Sequence, residues 1–253
     1  MHSERSYSID ETAAVRALRE IGIDSGAVLY VAASLGGLAM LPDPVGLVLA
    51  ALDATVGPTG TLVMPTFHSG FRFEAIFDRE RSPSRSGMLS ETFRTRPGTL
   101  RTWSPPYNPV AVSGHHARAF AALRSATAFG VGSVFDHLVT IDATVLLAGC
   151  NFHDGVAHVH WLEERHQVPY RTWHDFSGRV VLDGVESWHT WPCHIRNAGI
   201  DLNASPLGDL LANSGAMRET DLGLTRLAAF SLHDFVKVVD TWFAKNTMAM
   251  VVN

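Results

Sequence analysis

The sequence predicts an α/β fold: a single compact domain spanning residues 1–253, with a mixed, partly parallel sheet and flanking helices. Three observations carry that expectation. A strand–loop–helix–strand succession runs from Ala27 to Pro65, the trace that a βαβ unit leaves in a sequence. A second apolar run, Thr144-Val-Leu-Leu-Ala-Gly-Cys150, ends in glycine in the manner of a buried strand. Between Phe176 and Trp191, Val180, Leu182, Gly184 and Trp188 alternate as in an antiparallel hairpin with its turn at Asp183-Gly184. With 253 residues, 46% of them hydrophobic, the chain is long enough to bury one sizeable core.

The elements follow in order. Ala13, Val15, Leu18 and Ile21 give Ile9–Ile21 the spacing of an amphipathic helix. Gly26 leads into the strand Ala27–Ala32, and a turn of small residues, Ala33-Ser-Leu-Gly-Gly37, follows. Asp43 or Pro44 starts a second helix through Leu52, closed near Gly57-Pro58-Thr-Gly60 before the strand Thr61–Pro65. Phe67–Arg101 is rich in Arg, Ser and Pro, with a short helix expected at Ser90–Arg96, capped by Ser90 or Ser86. Three prolines in Trp103–Pro109 require an ordered loop or an extended segment. A helix is expected over His116–Arg124, a strand over Val145–Gly149, and a last amphipathic helix over Leu232–Ala244. There is no internal repeat and no low-complexity linker.

Composition excludes several classes. No apolar run reaches the roughly 18 residues that cross a membrane, and Val45–Val56, interrupted by Asp53, reads as a core helix. Glu4, Arg5, Asp10 and Glu11 leave no room for a secretory h-region, and two cysteines, Cys150 and Cys193, make no disulfide framework. The expected location is therefore the cytoplasm. A formal charge of −5 argues against nucleic acid. The expected partner is a small molecule, with neither membrane nor nucleic acid, and the expected state is a monomer or homodimer. One basic concentration, Arg79, Arg81, Arg85, Arg94, Arg96 and Arg101, reads either as a solvated face or as contacts to a phosphorylated cofactor.

Chemistry concentrates in His153–Arg171. If the stretch containing Trp161-Leu-Glu-Glu-Arg165 is helical, His160 and Glu163 lie at i and i+3 on one face, a plausible general-base arrangement. His153, His158, His160, His166 and His174 also raise a metal site. His-x-His diverges on a helix, however, and His-x-x-Glu is not the two-histidine helical zinc pattern, so no metal is expected. Cys150 with His153 as base is a third arrangement, but a free cysteine ending a buried strand behaves as a small hydrophobe.

Five segments occur together and in order: VAASLGGLA (Val31–Ala39), GPTGTLVMPTF (Gly57–Phe67), FDRERSPSRSGMLSETFRTRPGTLRT (Phe77–Thr102), FGVGSVFDHL (Phe129–Leu138) and HVHWLEERHQVPYR (His158–Arg171). Together they resemble the aminoglycoside 3-N-acetyltransferase (antibiotic N-acetyltransferase) family over roughly residues 10 to 245. The resemblance implies that family's own α/β fold, distinct from GNAT acetyltransferases, and transfer of acetyl from acetyl-CoA to an amine. It also implies that His160, paired with Glu163, activates the amine; on chemistry alone, Glu163 or a carboxylate such as Asp154 could fix the tautomer of that imidazole. By the resemblance, coenzyme A would meet Ser34 and the run holding Ser82 and Ser84. From the residues themselves, backbone N–H groups of Ser34, Leu35, Gly36 and Gly37 could grip the pantetheine or an oxyanion, and Tyr107, Asn108, Asp154 and Trp161 are the candidate acceptor contacts. The chain departs from the family pattern at Ala32-Ala33, where His-Ser is usual, at Ser104–Asn108, where His-Pro-x-x-Ser is usual, and at Val156. The acceptor implied is a small-molecule amine, aminoglycoside-like or a biosynthetic intermediate. The alternative is the same fold used by a hydrolase, or by an amide-forming or cyclising enzyme without acetyl-CoA. A third class is a non-enzymatic binder.

Overall fold

The computed structural model describes residues 9–103 and 105–252. Met1–Ser8, with the Glu4 and Arg5 used above, Ser104 and Asn253 lie outside the described residues. The strands are β1 (Val28–Ala33), β2 (Thr61–Pro65), β3 (Ile76–Asp78), β4 (Leu100–Arg101), β5 (Val110–Gly114) and β6 (Thr144–Ala148). They continue with β7 (Arg171–Leu182), β8 (Val185–Arg196), β9 (Asp201–Leu202), β10 (Arg218–Leu222), β11 (Thr225–Ser231) and β12 (Val251–Val252).

The main sheet has seven strands in the order β10-β11-β6-β1-β2-β5-β4. Its three central strands are parallel, β1 pairing with β2 on one side and β6 on the other. The outer strands are antiparallel, so the sheet is mixed, as the βαβ trace predicts. Alternation along β1 divides the core. Leu29 and Val31 face the helices Glu11–Glu20 and Pro44–Val56, while Tyr30 and Ala32 face Phe135, Leu162 and Phe235. Both helices of the first face start where acidic caps stand. Asp10 accepts from the Ala13 N–H and Asp43 from the Gly46 N–H, each at 2.8 Å. Pro44 occupies the first turn of the second helix, where its missing donor costs nothing.

Three local expectations change. The short helix is Met88–Arg94 with Gly87 at its N-cap and no side-chain cap, because Ser86 Oγ instead accepts the Phe67 N–H at 3.0 Å. The last helical stretch, Leu232–Phe243, contains a π turn over Val236–Asp240. The arginine concentration is largely structural. Arg94 pairs with Glu91 and Arg96 with Asp53, while Arg101 is buried, donating to the Thr66 carbonyl at 2.6 Å and stacking over Phe77. Burial pushes the Arg101 guanidinium down to about 9.

The β7–β8 hairpin turns at Asp183-Gly184, both at positive φ, as a two-residue turn requires. It joins β3 in a three-stranded sheet that stands over the carboxyl ends of β1, β2 and β6. No helix of the described residues is long and apolar enough to cross a membrane.

Candidate active site

At the carboxyl end of β1 the chain leaves toward β2 on one side and β6 on the other. In open α/β sheets such a switch point leaves a crevice for ligands. Here it opens into a cleft of about 1040 Å³, at the upper end of the range for a single small ligand. The ends of β1, β2 and β6 contribute Ala33, Ser34, Pro65 and Cys150 to it. The hairpin forms one wall, the segment from Phe67 to Ser86 another, and the helix His158–Arg165 a third.

The approach of β6 to the β1 turn depends on Gly149. Its φ is +72°, and a Cβ there would lie 2.2 Å from the Ser34 carbonyl oxygen. Beyond it, Asn151 Oδ1 caps the short turn Phe152–Gly155 by accepting the Asp154 N–H at 2.8 Å. The helix that follows carries His160 and Glu163 one turn apart. Their Nδ1 and Oε2 atoms are 2.6 Å apart. Glu163 is buried, whereas the imidazole is 44% exposed and reaches the cleft, edge-on to Phe129.

Arg171, the first residue of β7, also donates to Glu163 Oε2, at 2.8 Å. Burial pushes the Glu163 carboxyl up, but His160 and Arg171 together more than offset it and hold the group below its usual range. The carboxylate is therefore ionised. It fixes a proton on His160 Nδ1 and leaves Nε2 as the acceptor, the state a general base needs. Arg171 Nη2 lies 3.2 Å from Nδ1, so the carboxylate oxygen is their common acceptor. Arg171 is held in turn by Nη1, which donates to the His194 carbonyl at 2.9 Å.

The remaining site residues divide. Ser34, Tyr107, Asn108 and Asp154 line the cleft. Leu35, Gly36 and Gly37 form a 3₁₀ turn outside the lining, where a Cβ on Gly37 would meet Thr225 and the Leu224 carbonyl. Ser82 and Ser84 also stand outside it. Ser82 Oγ accepts the Asp78 N–H and Ser84 Oγ the Ser86 N–H, which places Arg85 and Ser86 in the wall. Trp161 points into the core, its indole donating to Asp136 at 3.2 Å. Asp154 is bonded to Asn151, and Glu163 instead is the carboxylate on His160. Tyr107 is buried, and its hydroxyl donates to the Pro192 carbonyl.

The other candidate chemistries find little geometric support. Burial pushes the Cys150 thiol up to about 11, and its sulfur donates to the Ala32 carbonyl at 3.3 Å. Among the described residues, no group of three His, Cys, Asp or Glu side chains converges as a metal site would need.

Two features went unread in the sequence. Arg171 closes the quoted run, and a carboxylate buried eight residues earlier is the signal that calls for such a cation. Glu164 is also buried at the cleft, bonded to Thr127 Oγ1 and raised by burial, and no spacing foretells that partner.

A family model described as aminoglycoside 3-N-acetyltransferase matches residues 31–244. The chain belongs to that family. Among related proteins, aminoglycoside N(3)-acetyltransferase III of Salmonella sp is 24% identical over 97% of this chain and 93% of its own. Aminoglycoside N(3)-acetyltransferase IV of Salmonella sp is 33% identical over 60% of this chain and 58% of its own. Among solved structures, AAC-IIIb in a binary complex with CoASH superposes with a TM-score of 0.83 at 23% identity, covering 93% of this chain and 96% of that one. AAC-VIa bound to sisomicin gives 0.82 at 20% identity, covering 93% and 97%. The aminoglycoside 3-N-acetyltransferase family thus accounts for the fold as a whole, and membership places the chain among acetyl-CoA:amine N-acyltransferases.

Proposed function

We propose that this protein acetylates an amine of a small molecule by direct transfer, with His160 as general base and Glu163 as the carboxylate that orients it. The observation carrying this reading is the His160–Glu163–Arg171 chain at the wall of the cleft, one nitrogen of the imidazole tied back and the other left for a proton. The donor of the family is acetyl-CoA, which supplies an activated acetyl thioester. The cleft has room for a thioester arm and an acceptor together, and it carries Ser34, whose side chain is not spent on capping its turn, and Arg85.

The residues of this chain do the rest. His160 Nε2 takes the proton of the attacking amine, and the ionised Glu163 stabilises the imidazolium that forms. His160 and Arg171 together keep Glu163 ionised despite burial. The acceptor enters along the hairpin, on the side of the cleft lined by Asn108. Ala32 and Ala33, where the family usually carries His and Ser, leave the β1 end of the cleft apolar.

Calorimetric titration with acetyl-CoA tests the donor assignment, and absence of binding at millimolar donor sinks it. Replacing His160 with Ala lowers thiol release with an amine acceptor by roughly 100-fold or more, and an unchanged rate removes His160 from the mechanism.

A further inference from the structure

The cross-strand register of the hairpin pairs Arg171 with Arg196 and Trp173 with His194. Residues two apart on a strand point to one face, so these four side chains form two successive rungs on the same face. All four line the cleft. In the second rung the Trp173 and His194 rings stack, with centroids 4.6 Å apart and planes 14° from parallel. Trp173 is 37% exposed, so this flat apolar surface is open to a ligand. Arg196 is exposed beside it and pairs with no carboxylate among the described residues. Burial, and then the Arg171 guanidinium, hold His194 below the ordinary histidine range, which keeps the stacked imidazole neutral.

The hairpin wall contributes no carboxylate to the cleft; Asp175, the next residue on this face, lies beyond the lining. The carboxylates that do line it are engaged within the protein: Asp154 with Asn151, Glu163 with His160 and Arg171, Glu164 with Thr127. A polycation entering along the hairpin therefore meets a guanidinium and two rings. A planar ring bearing an anion meets a stacking surface and an unspent cation.

We propose that Trp173, His194 and Arg196 form a specificity-determining subsite that takes an aromatic ring carrying a carboxylate or phosphate, so that the acceptor is an anionic aromatic amine and not a polycation. The proposal rests on the acetyl-transfer reading above. The same chemistry exists in the nucleotide of coenzyme A, but position favours the acceptor. Trp173 is one strand repeat, roughly 7 Å, from Arg171, whose guanidinium touches the base. The long pantetheine arm keeps the nucleotide end away from the reacting centre, whereas an acceptor's ring lies close to its own amine.

The test is calorimetry on the full chain saturated with CoASH, using three probes: 4-(aminomethyl)benzoate, benzylamine and sisomicin. The carboxylate probe is expected to bind at least about tenfold tighter than either of the others, and Arg196→Glu to lose at least about tenfold on that probe. Trp173→Ala should weaken both aromatic probes with little effect on sisomicin. Tighter binding of sisomicin, or no binding of the carboxylate probe, overturns the proposal. So does an Arg196→Glu variant that keeps the carboxylate probe but, titrated without CoASH, loses adenosine 3′,5′-bisphosphate, since the subsite would then serve the donor. Failure to bind CoASH at all instead refutes the acetyl-transfer reading.

Discussion

Replacing Glu163 with Gln preserves the shape of the side chain and removes its charge. In the native protein that charge faces two donors on one oxygen, His160 Nδ1 at 2.6 Å and Arg171 Nη2 at 2.8 Å, at a position closed to solvent. With an effective dielectric near 20, unit charges at the Arg171 separation attract by about 6 kcal/mol, and the desolvation of both partners offsets part of this. Removing one partner leaves the other charge buried, so Glu163→Gln is expected to cost roughly 3–5 kcal/mol of stability. The rate falls for a different reason. The Gln amide can present an N–H to Nδ1, which moves the imidazole proton to Nε2, where a proton acceptor is needed. The expected loss in kcat/KM is on the order of 10²–10⁴.

A second substitution separates the two effects. Glu163→Gln with Arg171→Met removes both charges, so no unpaired ion stays buried and most of the lost stability returns. The rate does not return, because the orienting carboxylate is still missing. Urea unfolding midpoints and thiol release from acetyl-CoA with an amine acceptor measure the two quantities on the same samples. A single variant within about threefold of the native rate refutes the dyad. A single variant of native stability refutes the buried ion pair.

Three further outcomes are expected. His158 is fully buried among Tyr30, Phe135 and Phe235, and burial pushes it from 6.5 down to about 3. The unfolded chain then takes up a proton that the native state refuses, so stability falls as the pH drops from about 6.5 toward 3. At pH 4.5 this amounts to about 3 kcal/mol relative to neutral pH, and His158→Leu should remove it. Parallel urea midpoints for the two proteins at pH 7 and 4.5 would refute this. Cys150→Ala is expected to leave kcat within about twofold, because a thiol raised to about 11 supplies little thiolate at neutral pH; a large loss of kcat would reopen covalent catalysis. Gly149→Ala forces a Cβ to within 2.2 Å of the Ser34 carbonyl at a positive φ, so it should cost more than about 2 kcal/mol and weaken CoA binding through the displaced turn. Native stability and native CoA affinity in this variant would refute the close approach.

Much of the fold and of the site is legible in the sequence. The βαβ trace follows from apolar runs bounded by Gly26, Asp43-Pro44 and Gly57–Gly60, local signals that tertiary context did not override. The His160–Glu163 contact follows from helical spacing alone. Ser82 and Ser84 show the limit of motif reading, since their hydroxyls are used to shape a loop and its neighbours Arg85 and Ser86 reach the cleft. Trp161 shows another. A helix adjacent to a cleft has an inward face as well, and which of two neighbouring residues faces inward depends on where the helix docks. The Glu164–Thr127 pair joins residues 37 apart through folding of the whole layer, which no local pattern records.

The hairpin was more legible than it first looks. A two-residue turn at Asp183-Gly184 sets the register of every rung, so 171 must face 196 and 173 must face 194 for as long as the pairing persists. Arg171 and its three neighbours on this face then have separable duties. Arg171 holds the Glu163 carboxylate, and within the hairpin it is anchored by a main-chain carbonyl, that of His194. Side chains at 173, 194 and 196 can therefore change without withdrawing the hydrogen bond that fixes Arg171, and through it Glu163 and His160. A fold arranged in this way can exchange its acceptor while keeping its base. That fits a chain that retains the His–Glu pair of its family and carries Trp173, His194 and Arg196 on the hairpin wall beside it.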